Sequence, residues 1–120
     1  MEIVSRKDSK LLGRSELQVM FADKAGAISR KEAIREVAQS LNSTEGRVTL
    51  VRLSPQAGSR NLVGWFHVYD SEDGRKEIAH AYLSARLLTK EEKEAMKAEK
   101  KKAEAAAAAA AATPVPKKKK

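Results

Sequence analysis

Cysteine is absent from the 120 residues, which removes disulfide frameworks, thiolate nucleophiles and Cys-based metal sites in one step. Aromatic residues are scarce at 4%. Apolar packing therefore has to rest on Leu, Ile and Val around a few rings, Phe21, Trp65, Phe66, Tyr69 and Tyr82. No apolar run approaches membrane-spanning length, and the opening Met-Glu-Ile-Val-Ser-Arg-Lys-Asp lacks the basic start and long apolar stretch of a secretory signal. A soluble, cytoplasmic chain with no membrane partner is expected. Phosphate-cradling loops are missing as well, since Gly58 and Gly64 fit neither G-x-x-x-x-G-K-[ST] nor G-x-G-x-x-G. Histidine occurs only at His67 and His80, with Asp70 and Ser71 near the first. Asp70 and Ser71 are better explained as a helix cap, so no catalytic site, metal, cofactor or small-molecule substrate is expected.

What the chain does have is positive charge. Its 24 Lys and Arg against 16 Asp and Glu give a net charge of +8 and a pI near 9.8, which favours an anionic partner. The charge is uneven: residues 1–89 hold 14 Lys or Arg against 11 Asp or Glu, and residues 90–120 hold 10 against 5. The hydrophobic fraction of 42% is inflated by the run Ala105 to Ala112, which buries little. A folded domain of about 88 residues is expected, large enough to fold alone though marginally.

Periodicity gives the order of elements. Glu2 to Lys7 is a short strand, and Ser15 to Ala22 alternates, with Leu17, Val19 and Phe21 on one face and Glu16, Gln18 and Met20 on the other. Ser29 and Glu32 have capping-box spacing, and Ile34, Val37, Ala38 and Leu41 recur along one helix face. Arg47 to Leu53 reads as a strand apolar on both sides: Val48, Leu50 and Arg52 share one face and Thr49, Val51 and Leu53 the other, as expected for a central position. Leu62 to Tyr69 returns antiparallel to it. A second helix runs from Asp70 or Ser71 to about Leu88, with Ile78, Tyr82 and Ala85 along it and Gly74 disturbing its first turns. The class is α+β, a four-stranded antiparallel sheet in the order β-β-α-β-β-α with helical cover.

Residues 89–120 are a different material, a basic Ala/Lys/Glu-rich extension opening on the capping pair Thr89 and Glu92. Met96 is its only large apolar residue before Thr113-Pro114-Val115-Pro116. With no apolar stripe it is expected to project as a helical rod of roughly 36 Å, followed by Lys117, Lys118, Lys119 and Lys120.

The most informative stretch is Gly58 to Ser71, where a basic turn, a strand and a helix start follow each other within a few residues. The pattern Gly58, Arg60, Gly64 and Val68-Tyr69-Asp70-Ser71 resembles the signature of the 24e family of archaeal and eukaryotic small-subunit ribosomal proteins. Leu11-Leu12-Gly13-Arg14 and Ser29-Arg30-Lys31-Glu32-Ala33-Ile34-Arg35-Glu36-Val37-Ala38 agree with it in order and spacing. The resemblance covers roughly residues 2 to 88. The chain departs from it at Ala79-His80-Ala81-Tyr82, where relatives commonly carry Glu-Pro-Lys-Tyr, and no basic contact is assigned there. Its loop, Pro55-Gln56-Ala57-Gly58-Ser59-Arg60, is also less Gly-rich than in many relatives.

The resemblance implies a structural component of the small ribosomal subunit whose partners are ribosomal RNA and neighbouring ribosomal proteins. Cations at loop tips and element ends reach an external phosphate backbone without disturbing a core. Arg60 is the foremost candidate, followed by Arg14, Arg30, Lys31 and Arg35, then Arg47 and Arg52, with Lys117 to Lys120 as a tail contact. Arg35 has a competing use in pairing with Glu32, or weakly with Glu36, and Arg47 or Arg52 in a sheet-edge ion pair. Trp65 and Tyr69 share a strand face that serves either as core or as a stacking platform for bases, with core packing favoured. Two other functions compete with the ribosomal one. One is a chromatin-type or general nucleic-acid-associated protein binding mainly through its tail. The other is a small enzyme built on His67.

Overall fold

The computed structural model describes residues 1–111, which fall into two units, Met1–Leu87 and a second beginning at Leu88. The first contains β1 (Glu2–Ser9), β2 (Arg14–Phe21), α1 (Arg30–Ser40), β3 (Val48–Pro55), β4 (Leu62–Tyr69), α2 (Glu72–Ile78) and α3 (Ala81–Ala85), with a 3-10 turn over Glu45–Arg47 leading into β3. The second contains α4 (Lys90–Ala111), entered through the expected Thr89–Glu92 pair: the Thr89 N–H donates to Glu92 Oε2 at 2.7 Å. The four strands form one antiparallel sheet in the order β1-β2-β4-β3, the α+β class that the pattern predicts.

Alternation decides which side of β2 faces inward: Leu17, Val19 and Phe21 are buried and their neighbours point away. Helix α1 covers that face. Ser29 caps it: its hydroxyl accepts from the Glu32 N–H at 3.2 Å while the Glu32 carboxylate accepts from the Ser29 N–H at 2.8 Å. Asn42, at φ 50°, ends the helix in the left-handed conformation. Between helix and sheet lies one core, in which Ala33, Ile34, Val37 and Ala38 meet Leu17, Val19, Phe21, Val48, Leu50, Leu62 and Phe66. Phe21 and Phe66 meet edge to face at 6.1 Å. The Phe66 ring lies back over Gly64, where an added Cβ would come within 2.5 Å of it and 3.0 Å of Leu53.

Three expectations are corrected. β3 is an edge strand, not a central one, because β4 pairs with both β2 and β3. Its apolar character on both sides has another cause: a bulge between Leu50 and Arg52 shifts the register, so that Leu50 stands opposite Phe66 and Leu53 opposite Gly64, both toward the core. Arg52 stands opposite Trp65 instead, and so does not share the face of Val48 and Leu50. The third correction concerns the second helix, which is two short ones separated by extended Ala79 (φ −72°, ψ 136°) and His80 (φ −63°, ψ 130°). Of the apolar residues expected along it, Ile78 and Tyr82 are exposed. Leu83, next to Tyr82, is buried instead.

Arg75 explains the break. From α2 its guanidinium donates to Gly46 O at 2.9 Å, Thr49 Oγ1 at 3.1 Å and Ser84 Oγ at 3.2 Å. On an unbroken helix Ser84 would lie about 13 Å further along the axis, out of reach. Ser71 caps α2 as the sequence predicts, accepting from the Gly74 N–H at 3.1 Å.

Two stability measurements check this account. Gly64→Ala should lower unfolding stability by about 1–3 kcal/mol through overpacking against Phe66, read from urea denaturation. Arg75→Met should cost about 2–3 kcal/mol, since it strands the Thr49 hydroxyl and the Gly46 carbonyl; an unchanged urea midpoint would remove Arg75 as the tie between α2, α3 and β3.

Candidate nucleic-acid interface

Arg60 tops the β3–β4 connection, whose backbone is fixed at both ends. Gln56 N–H donates to Asn61 O at 3.0 Å, Gly58 adopts φ 77°, and the Arg60 carbonyl accepts from the Ala25 N–H at 3.0 Å. The Asp23 N–H adds a bond to Asn61 Oδ1 at 3.4 Å. The loop is thus tied to the β2–α1 connection. Its arginine side chain is exposed and makes no ion pair among the described residues.

Arg30 and Lys31 stand on the first turn of α1, also exposed. Glu32 is committed to the cap; its hydrogen bond from the Ser29 backbone, reinforced by the Ser29 hydroxyl, holds its carboxyl below the usual carboxylate range. Arg35 therefore pairs not with Glu32 or Glu36 but with Glu45 of the 3-10 turn, at 3.4 Å. Glu36 is taken by Lys24. Arg47 ends the 3-10 turn and opens onto a depression that it shares with Arg6, Ser43, Tyr69 and Asp70. Arg52, turned by the bulge, places its guanidinium over the Trp65 ring at 5.8 Å. Among the described residues it has no carboxylate partner.

Arg14 differs from these. It is only 18% exposed and bonded to Glu16 at 2.8 Å. Burial opposes its charge, but the Glu16 carboxylate and the Tyr69 hydroxyl outweigh that and raise its pKa. Its Nε is buried with no hydrogen-bond partner. Lys117 to Lys120 lie outside the described residues. Sequence reasoning passed over Arg75 and Arg86. The second has a legible signal: it follows Tyr82 by one helical turn, and its guanidinium lies 4.9 Å from that ring.

The sheet face away from α1 carries Trp65 and His67, both half-buried, beside Glu16 and Gln18 of β2. Trp65 is thus not part of the core cluster, while Tyr69 is buried. His67 Nε2 lies 3.9 Å from the Glu16 carboxylate, a distance that alone would favour an ion pair. Burial, reinforced by the Arg14 guanidinium, nevertheless pushes the imidazole below its ordinary value of 6.5, so it is neutral at pH 7. Among the described residues no cluster of His, Asp or Glu is placed to hold a metal ion, and no helix is long and apolar enough to cross a membrane.

The profile of a family described as ribosomal protein S24e matches residues 1–88. The chain belongs to the ribosomal protein S24e family. Among similar proteins, the small ribosomal subunit protein eS24 of Methanosphaerula palustris is 34% identical over 93 residues, 78% of this chain and 95% of the relative. Its counterparts from Methanothrix thermoacetophila and Haloquadratum walsbyi are 26% identical over 96 residues and 24% over 86. These cover 79% and 72% of this chain, and 97% and 82% of the relatives. Two of the segments that carry the S24e resemblance meet in space: the Asp70 N–H donates to the Gly13 carbonyl at 3.0 Å, and Arg14 stands opposite Tyr69.

The His67 site predicts a pH dependence. The unfolded chain takes up a proton at the ordinary imidazole pKa and the folded chain resists it, so stability is full above pH 6.5 and falls as pH drops through that value toward the folded one. The stabilisation from Glu16, whose carboxyl the Arg14 hydrogen bond depresses, is lost only at lower pH, below the ordinary glutamate value. Between pH 7 and 5, His67→Gln should therefore lose less stability in urea titrations than the parent chain; equal losses would refute the assignment.

Proposed function

We propose that this chain is a structural constituent of the small ribosomal subunit that binds ribosomal RNA through the surface of its folded body and adjoins other ribosomal proteins. The family supports the ribosomal placement, a structural role in translation without catalysis in the cytoplasmic ribosome. RNA binding rests on one observation: Arg60, Arg30, Lys31, Arg47 and Arg52 are exposed and have no carboxylate partner among the described residues, while the elements that carry them are fixed by the sheet ladder and the core that α1 shares with it. Held in register, they neutralise several phosphates at once and favour the RNA fold in which those phosphates converge. Arg14 and Arg35 add to the field from within ion pairs.

The residues to Leu88 form the RNA-binding domain, and residues 89–120 form an extension whose terminal Lys117 to Lys120 add a salt-sensitive, sequence-indifferent contact. Within α4 six lysines are set against five glutamates, so that helix supplies little net charge. This weakens the tail-driven, chromatin-type reading.

Two measurements test the proposal. A chain cut after Leu88 should still sediment with small subunits through a high-salt wash, whereas loss of all nucleic-acid affinity would transfer binding to the tail. In the full chain, replacing Arg60, Arg30 and Arg47 by Gln should flatten the log K against log salt plot by roughly one unit for each phosphate no longer neutralised. An unchanged slope would exclude these side chains from the interface.

A further inference from the structure

We propose that the groove along the outer edge of β3, between the first turn of α1 and helix α3, is a phosphodiester-binding site in which Arg30 and Arg86 grip the RNA backbone from opposite walls. The inference rests on the rRNA-binding reading above and adds to it a site and a residue, Arg86, which that reading does not use.

The groove consists of two adjoining depressions, and Arg30 and Arg86 line both. Lys31 joins them in the first, and Arg52 in the second. The floor is apolar, supplied by Leu53 and Leu87 in both depressions and by Leu83 in the second. No Asp or Glu lines either one among the described residues. Cations gathered over a low-dielectric floor without an acid among them repel one another and focus positive potential into the cleft. An anion entering the groove relieves that repulsion.

Arg6, Arg14, Lys24, Arg35 and Lys76 each face a carboxylate within ion-pair distance, whereas Arg30 and Arg86, like Arg47, Arg52 and Arg60, face none among the described residues. Arg86 is held instead by an aromatic ring: its guanidinium lies over Tyr82, which is in turn stacked on His80 with centroids 5.5 Å apart and planes 20° apart. A contact to a ring leaves the guanidinium N–H donors free of a carboxylate, and that fork matches two phosphate oxygens. Arg52 over Trp65 repeats the arrangement at the strand edge. Carboxylates fix a side chain by consuming its donors, and aromatic faces fix it while sparing them. This difference favours an external anion as the intended partner.

Tyr82 is 52% exposed beside the Arg86 guanidinium. What stays exposed of the ring beside Arg86 and His80 gives a ribose adjoining the held phosphate an apolar contact that an acidic side chain would not use.

The test uses the full-length chain, small-subunit rRNA transcribed in vitro, and poly-glutamate as the competing polyanion, with binding read by fluorescence anisotropy across a salt series. Arg86→Gln and Arg30→Gln should each weaken rRNA binding by about fivefold near physiological salt and lower the salt slope by about one unit, with urea midpoints unchanged. Should one variant fold poorly, the other carries the test from the opposite wall. Parent-like rRNA affinity in both variants, with Arg60→Gln weakened, would overturn the groove and leave the rRNA-binding reading standing. Parent-like affinity in all three would overturn both. Loss of poly-glutamate binding with rRNA binding intact would assign the groove to an acidic protein segment and refute the proposal.

Discussion

Phe66 sits fully buried at the middle of β4, edge-on to Phe21 and folded back over Gly64, and the elements that carry Arg30, Lys31, Arg52 and Arg60 meet around the core to which it belongs. β4, like β2, pairs on both sides, and its Phe66 belongs to the cluster on which α1 rests. A side chain of this size contributes about 1.5–3 kcal/mol on burial, a large share of what an ordinary small domain has in reserve. Arg30 and Lys31 are carried by the helix resting on that core. Arg52 and Arg60 are carried by the strand and loop beside it.

The cations divide into two populations. One is paired within the fold: Arg14 against Glu16 and Tyr69, Lys24 against Glu36, Arg35 against Glu45, and Arg75 spread over three acceptors on three elements. These hold the body together at its seams, where a helix end, a turn or a strand end would otherwise leave polar groups without partners. The other population is exposed and placed by backbone or by aromatic faces. Glu16, Glu36 and Glu45 are spent on the first population, while Arg30, Lys31, Arg52 and Arg60 of the second have no carboxylate partner among the described residues.

Much of the fold was legible. The alternation from Ser15 to Ala22, the Ser29–Glu32 cap, the apolar face of Ile34, Val37 and Ala38, and the Ser71 cap are all local signals, each decided within a few residues by pleat or helix geometry. The candidate interface was legible in part. The exposed place of Arg60 followed from its turn, whereas Arg86 sat in a stretch read as one continuous helix, where its neighbours across the β3 edge could not be foreseen. Arg35 and Glu32 had the right spacing to pair, but the cap claimed the glutamate first.

By itself, then, the sequence determined the class, the order of elements, the family and the sign of the chain's own net charge, because these follow from side-chain period, capping chemistry, local motifs and composition. Tertiary structure alone decided that β3 lies at an edge, that the bulge before Arg52 turns it onto Trp65, and that the chain breaks at Ala79 and His80. Each of these choices is settled between residues far apart in the chain. Strand order depends on which partner β4 accepts on each side, the bulge lets Leu50 and Leu53 both reach the core, and the break lets Arg75 meet Ser84. Arg75 and Ser84 are nine residues apart, but Thr49 and Gly46, which hold the same guanidinium, lie 26 and 29 residues away, beyond any local window.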